Sequence, residues 1–151
     1  MRTTAKADYA VRAGVELAAA AGETRTADEI AQSAGIPINF LENILAELKR
    51  AGVVQSRRGS GGGYLLARPA DEITLADVIR AVEGPLANVR GISPDALVYE
   101  GASTRLRDVW VAVRASVRAV LERVTLADVA RGELPPQLVE LTSDADAWIR
   151  R

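Results

Sequence analysis

The chain has no cysteine and no histidine among its 151 residues. Disulfides are therefore excluded, as are thiolate and imidazole metal ligands. Nucleophilic cysteine chemistry and histidine acid–base catalysis are excluded with them. Aromatic residues are scarce, at 4%, so any core must be built mainly from Ala, Val, Leu and Ile. No run approaches the ~20 apolar residues of a membrane-spanning helix. No signal-peptide pattern opens the chain, so the expected location is the cytoplasm, with no membrane partner.

Hydrophobic residues make up 48% and charged residues 26%, the profile of a globular chain. A chain of this length can bury a real core without staples. The net charge is −1, so composition alone does not announce a nucleic-acid binder. Distribution is more telling. Between Leu48 and Ala70 the charged residues are Lys49, Arg50, Arg57, Arg58 and Arg68, with no acid among them.

Apolar periodicity predicts a helix over residues 7–21, stopped by Gly22. Thr26 followed by Glu29 is a capping box that opens a short helix to about Ser33. A turn over residues 34–37 follows, with Gly35 free to take positive φ and Pro37 fixed in its own. The next helix is predicted over residues 38–50. Leu41, Ile44, Leu45 and Leu48 fall on one face of it, and Gly52 ends it. Two short helices around a glycine-containing turn are a helix-turn-helix pattern, although an ordinary helical hairpin reads the same way.

Residues 53–56 and 64–67 are β-prone and flank Arg57-Arg58-Gly59-Ser60-Gly61-Gly62-Gly63. This is a hairpin with an arginine-led, glycine-rich tip, either a DNA-binding wing or a loose turn. Thr74 opens a further helix that stops at Gly84-Pro85. Residues 88–102 are polar and irregular.

The longest predicted helix covers residues 103–124. Leu106, Trp110, Val113, Val117, Val120 and Val124 form a heptad seam along it. At ~1.5 Å per residue it would be about 33 Å long, more than the preceding small domain can cover. The seam is therefore expected to form a dimer interface; an internal core helix is the alternative. A short helix over residues 125–131 and a polar tail, with room for one short helix after Ser143, complete the chain.

The fold expected is mainly α with a small β-hairpin: a winged helix-turn-helix domain plus a long dimerisation helix. The divisions are 1–85 for DNA binding, 86–102 as linker, 103–132 for dimerisation and 133–151 as tail. A recognition helix reads base edges in the major groove with residues near its N-terminus, here Ile38, Asn39, Phe40, Glu42 and Asn43. Asparagines suit adenine, Glu42 suits cytosine, and Phe40 suits a thymine methyl. Arg57 and Arg58 suit phosphates or a narrow minor groove. Enzyme readings fail: no Gly-Lys-Ser/Thr follows the glycines, and Ser60 has neither a histidine partner nor a strand–turn–helix context.

The stretches "TAKADYAVRAGVELA", "RRGSGGGYLLARP" and "ITLADVIRAVEG" resemble the Rrf-type family of bacterial winged-helix regulators over residues 1–85. The resemblance implies a homodimeric regulator, a repressor by expectation, on a partly palindromic double-stranded operator. Carried over by position, it adds Lys6 and Tyr9 as DNA contacts. It places Arg57, Arg58, Gly59, Ser60 and Gly63 in the wing and makes Glu42 a base discriminator. Many members hold an iron–sulfur cluster through three cysteines in the loop matching residues 86–103; this chain has none, so no cofactor is expected. Phe40 stands where tyrosine is usual, and Pro37 and Asn39 where serines are common. A small ligand or a partner protein is the expected signal, near residues 88–102 and Trp110. A winged-helix interaction module that no longer binds DNA is the alternative function.

Overall fold

The computed structural model describes residues 3–150. Helix α1 spans Ala5–Ala19, and its first turn is closed by the Thr4 hydroxyl accepting from the Ala7 amide at 3.0 Å. That cap starts the helix two residues earlier than periodicity predicts. The buried face of α1 carries mostly small residues: Ala7, Ala10, Ala13 and Gly14, with Leu17. Small side chains let neighbouring helices come close to this one, which makes α1 the centre of the domain.

Helix α2 (Ala27–Ala34) begins at the capping box read from the sequence. The Thr26 amide donates to Glu29 Oε2 at 2.7 Å, and the Glu29 amide donates to Thr26 Oγ1 at 3.2 Å. Gly35 ends it in the left-handed conformation at φ 62°. Helix α3 spans Ile38–Arg50, the predicted limits, and buries Leu41, Ile44, Leu45 and Leu48.

Strands β1 (Val54–Arg57) and β2 (Gly63–Leu66) pair antiparallel, with Val54 opposite Leu66 and Arg57 opposite Gly63. A third segment joins them: the Arg25 amide donates to the Tyr64 carbonyl at 2.8 Å, and Tyr64 returns the bond at 2.7 Å. The hairpin is thus fixed to the chain that leads into α2.

Helix α4 (Leu75–Glu83) opens on a second capping box, Thr74 with Asp77, and buries Ala76, Val78 and Val82. Helix α5 spans Leu106–Leu121, and α6 spans Leu126–Arg131 behind a third box, Thr125 with Asp128. The chain between α5 and α6 crosses to the residues before α4: the Leu75 amide donates to the Val124 carbonyl and the Leu126 amide to the Ile73 carbonyl, both at 2.9 Å. Leu126 is fully buried against α1, where a Cβ on Gly14 would stand 3.1 Å from its methyl carbons. Helix α6 therefore completes the core of the first domain, although the sequence reading groups it with the dimerisation helix.

Helix α5 is shorter than predicted, 16 residues or about 24 Å at 1.5 Å per residue. None of its residues is fully buried. Residues 133–150 carry a helix up to Ser143 that the sequence reading lacks, and a turn after it where that reading leaves room for a short helix. They hold α7 (Pro136–Ser143) and a 3₁₀ turn at Ala145–Trp148, tied together by the Trp148 indole N–H donating to the Thr142 carbonyl at 2.7 Å.

Candidate nucleic-acid interface

Helix α3 divides cleanly. Its four apolar anchors point into the core, while Asn39, Phe40, Glu42, Asn43, Lys49 and Arg50 are exposed and Ile38 is half-buried. The Asn43 side-chain amide donates to the Asn39 carbonyl one turn back at 3.3 Å. Phe40 is 62% exposed and takes an edge-on contact from Tyr9 of α1, with ring centroids 6.3 Å apart at 60°. The Arg12 guanidinium lies 5.6 Å from the Tyr9 ring centroid and hydrogen-bonds the Ala34 carbonyl. Tyr9 is half-buried beneath Phe40 and behind Arg12.

The hairpin tip owes its shape to its glycines. A Cβ on Gly63 would stand 2.6 Å from the Arg25 carbonyl oxygen, and one on Gly62 would stand 2.5 Å from that of Arg57. Close backbone approach accounts for both positions. Gly59 and Gly61 take φ of 88° and 72° with open space around them. The Thr24 hydroxyl steadies the tip by donating to the Gly61 carbonyl at 2.8 Å.

Arg57, Arg58, Gly59 and Ser60 are exposed. Among the described residues, no ion pair engages Arg57, Arg58, Lys49 or Arg50. Lys49, in the last turn of α3, donates to the Ser56 hydroxyl of β1 at 2.6 Å. That bond joins the end of α3 to the base of the hairpin. Arg68, the remaining cation of the acid-free run, is instead engaged by Asp77 at 3.8 Å and by the Glu72 carbonyl.

Two predicted site residues have partners within the fold. The half-exposed Lys6 ammonium lies 2.7 Å from Glu47 Oε2 of α3 and 2.8 Å from the Val82 carbonyl of α4, so it bridges α1 to both helices. Val124 is 1% exposed and lies past the end of α5, in the core, where no partner chain can reach it. Leu106, Trp110, Val113, Val117 and Val120 do share one face of α5, half-buried. The exposed side carries Val109, Ala112, Ser116 and Ala119 at spacings of three and four, a stripe the seam reading passed over.

The loop over residues 86–102 is packed against α5. Pro94 and Leu97 are buried, and Arg114 of α5 clamps the loop with bonds to Ser93 Oγ at 2.6 Å and Asp95 Oδ1 at 2.7 Å. The Ser93 hydroxyl, and after it Arg114, holds the Asp95 carboxyl down at about 2. The Trp110 indole N–H is buried and has no acceptor among the described residues. A groove of about 910 Å³ opens between α1, α4 and α5, lined in part by Thr4, Glu83, Leu86, Val117, Val120 and Leu121. Lys6 and the Thr4 hydroxyl, which donates to Glu83, connect its rim to Glu47 on α3. These partners are distant in sequence. The available signals were that Arg12 shares a helix face with Tyr9, and that Arg114 interrupts an otherwise apolar α5 face.

The Rrf2 family model, described as an iron-dependent transcriptional regulator, matches residues 3–132. A protein of Mycobacterium tuberculosis named as an HTH-type transcriptional regulator is 53% identical over 145 residues, 95% of this chain and 90% of that one. The solved structure of CymR, described as the global cysteine regulator of B. subtilis, aligns with a TM-score of 0.73 at 33% identity, covering 87% of this chain and 98% of the other. The structure of IscR from T. potens aligns with a TM-score of 0.67 at 30% identity, covering 100% and 93%. The iron in the family description does not fit this chain. It offers neither thiolate nor imidazole, and no three acidic side chains among the described residues are grouped to hold a metal ion.

Proposed function

Because the chain belongs to the Rrf2 family of DNA-binding transcriptional regulators, which are not enzymes, we propose that it is a sequence-specific operator-binding protein that works as a homodimer without an iron–sulfur cluster. One observation carries this reading. The exposed Asn39–Glu42–Asn43 face of α3 and the unpaired arginines of the hairpin are joined through Lys49 and Ser56. A helix of this width fits the major groove, and a two-stranded hairpin beside it reaches the neighbouring backbone or minor groove. Arg57 and Arg58 supply phosphate contacts, which position the protein; the α3 side chains supply base contacts, which specify sequence.

Dimerisation rests on α5. A 16-residue helix with no buried residue and an exposed stripe of Val109, Ala112, Ser116 and Ala119 gains by pairing with a second copy. We assign the dimer repression, which needs only occupancy of a promoter. The inducing signal enters at the groove beside α5 as a small ligand, or at the Arg114-clamped loop as a partner protein. Lys6 relays it to α3 through Glu47.

Genomic fragments bound by the purified protein should be selected and titrated in gel shifts at several salt concentrations. Salt-sensitive binding to fragments sharing a partly palindromic element supports the reading; salt-insensitive or absent binding overturns it. Val109→Asp should leave folding intact and halve the sedimenting mass. A reporter under a selected fragment should rise when the protein is deleted, and a fall contradicts repression.

A further inference from the structure

Among the described residues before Ile92, Phe40 is the one large hydrophobic side chain left exposed, and it stands in the first turn of α3. Its neighbour Leu41 is fully buried, so the core takes up apolar side chains right up to this position and leaves Phe40 out. Phenylalanine has no hydrogen-bond donor or acceptor. It cannot bond a phosphate oxygen or the polar edge of a base. The apolar feature that the major groove presents is the C5-methyl group of a pyrimidine.

The ring is also held in place. Tyr9 meets it edge-on, a geometry that aromatic pairs prefer, and Arg12 stacks on Tyr9 while bonding the Ala34 carbonyl at the end of α2. Tyr9 of α1, itself braced through Arg12 against the end of α2, therefore positions one exposed aromatic ring on the surface assigned to DNA. A ring free to swing aside would gain little from a methyl contact, because ordering it on binding would offset the burial.

We propose that Phe40 makes binding depend on a C5-methyl pyrimidine in each half-site, and that Tyr9 is its positioning residue and not itself a DNA contact. Thymine supplies this methyl in unmodified DNA, and 5-methylcytosine carries it at the same ring position. The inference rests on the DNA-binding reading above and adds to it a dependence on one methyl group.

The test uses the full chain and a duplex selected from genomic fragments. Each thymine of a half-site is replaced singly by deoxyuridine, which removes the methyl and leaves every hydrogen bond. One position should lose about fourfold in affinity per half-site, the worth of one buried methyl, and about fifteenfold when both half-sites are changed. Phe40→Ala should abolish this loss at that position, and because the site is exposed the variant keeps the fold, which circular dichroism checks directly. Tyr9→Phe keeps the edge contact and should keep the deoxyuridine penalty. Tyr9→Ala should reduce that penalty while leaving the salt dependence of binding unchanged. At the same position, a C·G pair should bind more weakly than a 5-methyl-C·G pair, and the difference should vanish in Phe40→Ala.

Binding indifferent to deoxyuridine at every thymine overturns the proposal and leaves DNA recognition standing. A penalty that survives Phe40→Ala also overturns it, and loss of the salt dependence in Tyr9→Ala overturns the positioning role. Absence of salt-sensitive binding to any duplex removes the underlying reading and this one with it.

Discussion

Arg58 is exposed at the hairpin tip, and no carboxylate among the described residues pairs with it. Its charge is therefore available to a phosphate, and replacing it by alanine disturbs no packing. Each phosphate contact contributes about 0.9 to the slope of log affinity against log salt, so losing Arg58 from both wings of a dimer should flatten that slope by about 1.8. Between 50 and 200 mM salt, a fourfold range, the ratio of wild-type to variant affinity should fall by about twelvefold. The assay is fluorescence anisotropy on a selected fragment and on an unrelated duplex of equal length; the flattening should be equal on both, because phosphates carry no sequence. Arg105→Ala removes the same charge from the residue preceding α5, where it pairs with Asp108 at 3.0 Å, and should leave the slope alone. A flattening of about 0.9 keeps the wing and contradicts the dimer. An unchanged slope refutes the placement of the wing on DNA.

Leu126→Ala should cost about 2–5 kcal/mol in urea denaturation, because Leu126 is fully buried against Gly14. Removing residues 133–151 should change stability little, since no residue of α7 is fully buried; equal losses in the two variants would contradict the placement of α6 in the core. Gly63→Ala combines φ of 144° with a Cβ 2.6 Å from the Arg25 carbonyl oxygen, so it should destabilise the fold more than Gly59→Ala, which meets only its own φ. Equal stabilities would show that the hairpin is not seated on Arg25. Asp95 has a depressed pKa in the folded chain, so its contribution to holding the loop is complete above its unfolded value of 3.8. That contribution is lost as pH falls from there through about 2. In a Trp148→Phe background, Trp110 emission should shift over that window, and Asp95→Asn should remove that part of the shift; identical titrations would contradict the clamp.

Local chemistry made much of this molecule legible. The three threonine boxes at Thr26, Thr74 and Thr125 mark helix starts through partners three residues away. The α3 limits follow from Pro37 on one side and the spacing of Leu41, Ile44, Leu45 and Leu48 on the other. The glycines of the tip declare a hairpin, although Gly63 answers to Arg25 and not only to the turn. What periodicity misses is long-range pairing. Val124 continues the heptad count, yet the backbone there bonds to Leu75 and leaves the helix. Lys6 looks like a free cation until Glu47 and Val82 are folded against it. Helix α7 had a signal that was passed over: Pro136 stands in its first turn, where proline is favoured, with Leu138, Val139 and Leu141 following.

Hydroxyl-radical footprinting of a selected fragment tests the central claim most directly. The account predicts two protected segments related by a dyad, their centres one or more helical turns apart, as a paired α3 and wing require. A single protected segment without symmetry, or uniform cleavage along the duplex, would contradict it.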